Sequence, residues 1–271
     1  MNEHVPFFQV VSGIIPHVPE IFMIDFFRYL LSASIVFAVL YVWKHPFQHR
    51  KIQDRVAKSS QFKKEFLYSV SSVVVYTLVT FIVLTLKQYG YFKFYDRVED
   101  YGWGYLILSV VLILAIQDFY FYWTHRLMHT RLFFKTFHKV HHDSITPSPW
   151  TAYSFSPWEA LVHAMIMPIV ASLFPVHTLA LVIFMTIQII RNVLGHSGYE
   201  MFPSWIISNG ILKHINTNTN HDMHHQYFRY NFGLYTTIWD SIFGTVHPDY
   251  EKTFKKITES KPLNVKEELK A

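Results

Sequence analysis

The chain has 271 residues, 51% of them hydrophobic and 18% aromatic, while Asp, Glu, Lys and Arg together make only 16%, against about 25% in a soluble domain. With a mean hydropathy of +0.17 this composition excludes an ordinary soluble globule and a disordered chain. The absence of cysteine excludes disulfides, Fe–S clusters, thiolate nucleophiles and Cys-ligated zinc. A net charge of +5 suits nucleic acid or a membrane surface. The basic residues flank apolar runs instead of forming a stripe with interleaved aromatics, which argues against nucleic acid.

Four apolar regions reach the roughly 20 helical residues that a hydrocarbon core about 30 Å thick demands. The first 20 residues have no basic, cleavable leader pattern, so the first span is expected to serve as its own membrane address. That span, residues 21–43, is interrupted only by Asp25 and Arg28, spaced so that they can pair across one helical turn. A basic loop follows, carrying Lys44, Arg50, Lys51, Arg55, Lys58, Lys63 and Lys64 against Asp54 and Glu65, which the positive-inside rule assigns to the cytoplasm. Residues 66–86 are uncharged, and in the next loop Lys87, Lys93 and Arg97 are offset by Asp96, Glu99 and Asp100. Residues 105–123 are apolar until Gln117 and Asp118 and run directly into the first histidines. Residues 161–190 lack Asp, Glu, Lys and Arg but contain Pro168 and Pro175, predicting a helical hairpin that turns near residues 174–177. The expected fold is all-α: a multi-pass membrane protein with about four transmembrane helices, the last two a hairpin, and a cytoplasmic helical cap that carries the histidines. Three units are expected, residues 1–104 with two spans, 105–250 with the histidines, and a polar tail at 251–271.

Twelve of the 17 histidines lie between His125 and His225. His125 and His129 stand four apart on one helix face. His138, His141 and His142 form one HxxHH cluster, and His221, His224 and His225 form another. About 0.07 HxxHH matches are expected by chance in a chain this rich in histidine, so two are significant. Within each cluster one helical turn is expected to offer three imidazoles to one place. So many rings, crowded together, would repel when charged and lack donors when neutral, and metal binding relieves both demands. Eight or nine nitrogens exceed the four of tetrahedral zinc, implying two metals, although imidazole alone does not select iron over copper, nickel or zinc. Asp118, Asp143, Glu159, Asp222 and Asp240 lie in or beside the clusters, where they could accept ring N–H bonds. His4, His17, His45, His49 and His247 read as ordinary isolated histidines. His163 reads as a hydrogen-bonded helix histidine or a channel wall, and His177 falls at the outer turn, remote from the rest.

Residues 117–246 resemble the fatty acid hydroxylase and sterol desaturase superfamily of membrane-bound non-haem di-iron oxygenases, closest to its sterol desaturase branch. The resemblance is carried by the three histidine clusters, by His196 between Gly195 and Ser197, by Thr146-Pro147-Ser148-Pro149, and by Trp239-Asp240-Ser241 after the third cluster. It implies metal ligation by His125, His129, His138, His141, His142, His196, His221, His224 and His225, with no separate catalytic side chain. Fatty acid hydroxylases carry a further histidine where this chain has Glu200, and Glu200, His214 or water could complete the shell. The implied cofactor is two iron ions, with zinc able to occupy the site in purified protein. The implied activity is hydroxylation or desaturation of a sterol-like or fatty acyl lipid with O2 and electrons from a carrier such as cytochrome b5 or ferredoxin with its reductase. The implied location is a bacterial inner membrane or the endoplasmic reticulum. A carotenoid-modifying or aldehyde-deformylating relative would use the same metals. A metal transporter or sensor is the non-enzyme alternative, but transporters place ligands near the bilayer midplane.

Overall fold

A computed structural model of the chain describes residues 6–43, 45–55 and 57–260. His4, Lys44 and the end of the expected polar tail lie outside the described residues. The chain opens with α1 (Phe7–Ile14), a 3-10 turn (Ile15–His17), α2 (Val18–Phe37) and a π-turn (Ala38–Val42), which together form one apolar rod, Phe7–Val42. The rod begins earlier than the expected span because Pro16 and Pro19 fall in the first turns of new helical segments, where a missing N–H leaves no bond unmade. Asp25 and Arg28 pair as their spacing predicts, with Oδ1 2.7 Å from Nη2.

The second span is α3 (Ser59–Gln88). Gly90, at φ 75°, closes it: the Tyr91 amide reaches back to the Leu86 carbonyl at 3.3 Å, a left-handed cap that suits a residue without Cβ. After a two-residue strand, β1 (Phe94–Tyr95), the third span is α4 (Gly102–Met128). Short helices α5 (Phe134–Phe137) and α6 (Lys139–His142) carry the second histidine cluster, followed by a 3-10 segment, Pro149–Tyr153.

The hairpin turns where expected but is asymmetric. Its first arm is α7 (Pro157–Ala164) and α8 (Ile166–Leu173), broken at Met165 because Pro168 cannot donate to the Ala164 carbonyl four residues earlier. This arm is too short to count as a span. Only the second arm, α9 (Thr178–Gly195), is long and apolar enough to cross a membrane. At the turn β2 (Val176–His177) pairs in parallel with β1. The remaining helices are α10 (Asn218–Tyr227), α11 (Ile238–Ile242) and α12 (Tyr250–Thr258).

The four spans bury Tyr29, Ala33, Val73, Ile113, Ile189 and Val193 against one another, while Leu31, Ile35, Leu78, Ile82, Ile107 and Val111 stay exposed. Bare apolar side chains along several long helices suit a hydrocarbon solvent, and the chain is an all-α multi-pass membrane protein. All the histidine clusters gather at one end of the spans. The basic loop lies at that same end: the Ile52 amide donates to the Gly198 carbonyl, the Glu200 amide to Arg50, and the Tyr41 hydroxyl to Ser197.

Candidate metal centre

Nine imidazoles converge in two adjoining groups. His125, His129, His138, His142 and His224 form one, and His141, His196, His221 and His225 the other, with ligand atoms within 4.8 Å of one another in each group. The sequence expectation that each HxxHH turn serves one place fails, and helix geometry explains why. Residues four apart lie about 40° apart around a helix, whereas direct neighbours lie about 100° apart. So His138 and His142 join the first group while His141 turns to the second, and His221 and His225 join the second while His224 turns to the first. His196, at the end of α9, completes the second group.

The outer nitrogens of six rings are fixed. His125 Nδ1 bonds to the Phe232 carbonyl (2.8 Å), His141 to Ser154 (3.3 Å), His196 to Asn192 (2.7 Å), His224 to Tyr230 (2.7 Å) and His225 to Ser144 (3.1 Å), while His138 Nδ1 meets Glu159 Oε1 at 2.6 Å. A carbonyl can only accept, so Nδ1 carries the proton and Nε2 turns a lone pair inward. Among the anchored rings those lone pairs face one another: Nε2 of His125 and His138 lie 2.9 Å apart in the first group, and Nε2 of His141 and His196 3.1 Å apart in the second. His225 Nε2 is buried without a partner among the described residues. Opposed lone pairs at such distances repel unless a cation stands between them, so the donor set fits metal ions in both groups. Burial holds these rings neutral. It lowers His196 and His224 to about 4, and in His129, His138, His141, His142, His221 and His225 burial reinforced by neighbouring histidines lowers the pKa well below the ordinary value.

The carboxylates divide differently from expectation. Only Glu159 accepts from a ring. Asp118 takes the Tyr235 amide and the Thr236 hydroxyl, Asp240 the Phe232 and Gly233 amides, Asp222 the Gln53 and Gln226 side chains, and Asp143 the ammonium groups of Lys64 and Lys139. Asp240 thereby shapes the loop whose Phe232 carbonyl anchors His125. Glu200 joins neither group; its oxygens accept from the Phe202 and Thr219 amides, and the latter bond caps α10. His214 lies in a separate 3-10 turn and joins neither group.

Two supports had little signature in sequence. Glu65, buried on α3, accepts from Gln61, Ser144, Ser148 and Thr151, fixing the segment whose Ser144 carbonyl holds His225. Gln53 donates to both Asp222 and the Ile145 carbonyl, tying the basic loop to α10. The spacing of Gln61 and Glu65, one turn apart at the head of an apolar run, was the available clue.

A narrow cavity of about 90 Å³ leads from the histidines into the bundle, lined by His138, His141, His196 and His221 at one end and by Tyr76, Phe121, Tyr153, Phe155 and Phe184 beyond. His163 takes the channel-wall role: it lines the cavity and stacks on Phe121, with Nε2 3.5 Å from Glu159 Oε1. The second Glu159 oxygen is buried without a partner among the described residues. His177 sits at the far turn, its Nε2 bonded to the Asp96 carbonyl.

The fatty acid hydroxylase family profile matches residues 110–245. The chain is 31% identical over 244 residues to the Delta(7)-sterol 5(6)-desaturase erg3A of Aspergillus fumigatus, covering 89% of this chain and 65% of that protein. It is 33% identical over 196 residues to the lathosterol oxidase of Mus musculus, covering 70% and 62%, and 27% identical over 233 residues to that of Homo sapiens, covering 82% and 76%. The chain thus spans somewhat less than two thirds of the length of the first two relatives. No solved structure matches it.

Proposed function

The chain belongs to the fatty acid hydroxylase family, on its sterol desaturase side, and from that premise we propose that it is a membrane-bound oxygenase. The proposed reaction hydroxylates or desaturates a C–H bond of a sterol-like or fatty acyl lipid, using O2 and external electrons. The observation that carries this reading is the inward convergence of nine neutral imidazoles in two adjoining groups. His125, His129, His138, His142 and His224 would hold one iron, and His141, His196, His221 and His225 the other. Bound there, the iron pair would supply the oxygen activation that amino-acid side chains lack.

The chain's own residues then have three tasks. Backbone carbonyls of Ser144, Ser154, Asn192, Tyr230 and Phe232 keep the ring protons on Nδ1, leaving Nε2 free to bind. Glu159 holds the His138 proton at Nδ1; burial raises its own pKa well above the usual carboxylate range, and bound metal would favour its charged form beside ligands that are otherwise neutral. Phe121, Phe155 and Phe184 line the cavity with apolar surface, which orients a lipid chain and excludes water. The division at residues 105–250 belongs to this reading, as does a cytoplasmic position for the histidines, where cytochrome b5 or a ferredoxin with its reductase could deliver electrons. The basic loop at the same end supports that orientation.

His141→Ala tests the assignment. It should leave membrane insertion intact, lower the metal content by one ion per chain or more as measured by elemental analysis, and abolish oxygen-dependent lipid turnover. Retained turnover would refute it.

A further inference from the structure

The cavity does not end among apolar side chains. Gln117 and Arg28 also line it, and each has a buried hydrogen-bonding atom without a partner among the described residues: Gln117 Oε1, an acceptor, and Arg28 Nε, a donor. Gln117 is only 2% exposed and belongs to α4, two helical turns before His125, about 12 Å along the axis. Arg28 reaches α9 at Met185, where Nη1 lies 3.5 Å from the sulfur. Met185 precedes His196 by about three turns, roughly 16 Å. Both groups therefore lie deep in the bundle, well away from the histidines.

An unmet amide in a membrane span is costly, and so is an intramembrane guanidinium. Leucine at position 117 would meet the packing need alone, so the polar atoms are best explained by what enters the cavity. Arg28 already pairs with Asp25 at 2.7 Å, so the site is neutral as it stands. A carboxylate ligand would add an unbalanced charge and could not donate to Gln117 Oε1. An alkane would meet neither group. Of the three, only a hydroxyl can both donate to Gln117 Oε1 and accept from Arg28 Nε, so it can meet whichever of the two it reaches, and with the amide rotated its oxygen can still accept.

We propose that the cavity takes a lipid bearing an uncharged hydroxyl, placed about 12–16 Å from the carbon presented to the histidines, with Gln117 and Arg28 as its recognition residues. The phrase about the presented carbon rests on the oxygenase reading; the binding preference does not.

Purified full-length protein in detergent micelles, carrying its own metals, is tested by displacement of tritiated tetradecan-1-ol with unlabelled tetradecan-1-ol, tetradecane or tetradecanoate. The alcohol should bind roughly tenfold more tightly than either analogue. Gln117→Leu should bring the alcohol to the level of the alkane, leave metal content unchanged and raise the melting temperature, because it removes an unpaired amide. Gln117→Met, an unbranched residue of similar size, is read in the same way should the leucine variant fail to fold. Equal binding of the three ligands, tighter binding of the carboxylate, an alcohol preference that survives the substitution, or a lowered melting temperature would each overturn the proposal. Hydroxyl preference without oxygen-dependent turnover would remove the proposed activity and leave this inference standing. Turnover without the preference would do the reverse.

Discussion

Each imidazole at the centre is made useful by what its outer nitrogen touches. A carbonyl on Nδ1 fixes the tautomer, and burial fixes the charge. Since His196 and His224 titrate at about 4 in the folded protein against about 6.5 unfolded, the unfolded chain binds protons first as the pH falls. The stability gained by keeping these rings neutral is whole above about 6.5 and is lost as the pH drops towards about 4. Metal-free protein should therefore melt at progressively lower temperature between about pH 7 and pH 5, followed by differential scanning fluorimetry. A flat profile would mean that the rings are already exposed without metal. Eight of the nine histidines were legible in their spacing, and His196 only through the family resemblance. Their partition was not, because neighbours such as His141 and His142 look equivalent in a sequence yet point about 100° apart. Their anchors were illegible too, because a carbonyl such as that of Ser154 or Tyr230 is common to every residue type and only the fold aims it.

At the level of elements, the centre is built where secondary structure ends. His125 and His129 close α4, His196 follows α9, and α10 begins at a cap shared by Thr217 and Glu200 and ends at Phe228 in the left-handed region. The spans were legible from apolar run length, and the turn of the hairpin from Pro175. The shortness of its first arm was not, since composition there is as apolar as in a span and only the loss of a bond at Pro168 separates α7 from α8. The loop after α10 shows how little slack remains. A Cβ on Gly233 would lie 2.2 Å from the Thr236 carbonyl oxygen and 2.9 Å from Asp240 Oδ2, so the adjacent Phe232 carbonyl would be displaced from His125. Gly233→Ala should cost about 2–4 kcal/mol of stability and reduce the metal held by the first group, checked by melting temperature and metal analysis. Wild-type metal content and stability would show that the loop can move aside.

Over the whole molecule, the histidine segments and the loop from His45 to Arg55 share one end of the bundle, while Tyr91 and the paired strands β1 and β2 occupy the other. The natural absence of cysteine makes this arrangement easy to test. Lys58→Cys should react with an impermeant maleimide only from the cytoplasmic side and Tyr91→Cys only from the opposite side. Labelling of both from one side would reverse or break the proposed topology.

The crossed allocation of the two HxxHH turns has a further consequence. Because α6 and α10 each contribute to both groups, neither helix can be pulled towards one ion without turning its other imidazoles relative to the second. Occupancy of one pocket would therefore preorganise its neighbour, and chelation at one would loosen both. With both ions bound, the pair would then behave as a single cooperative unit.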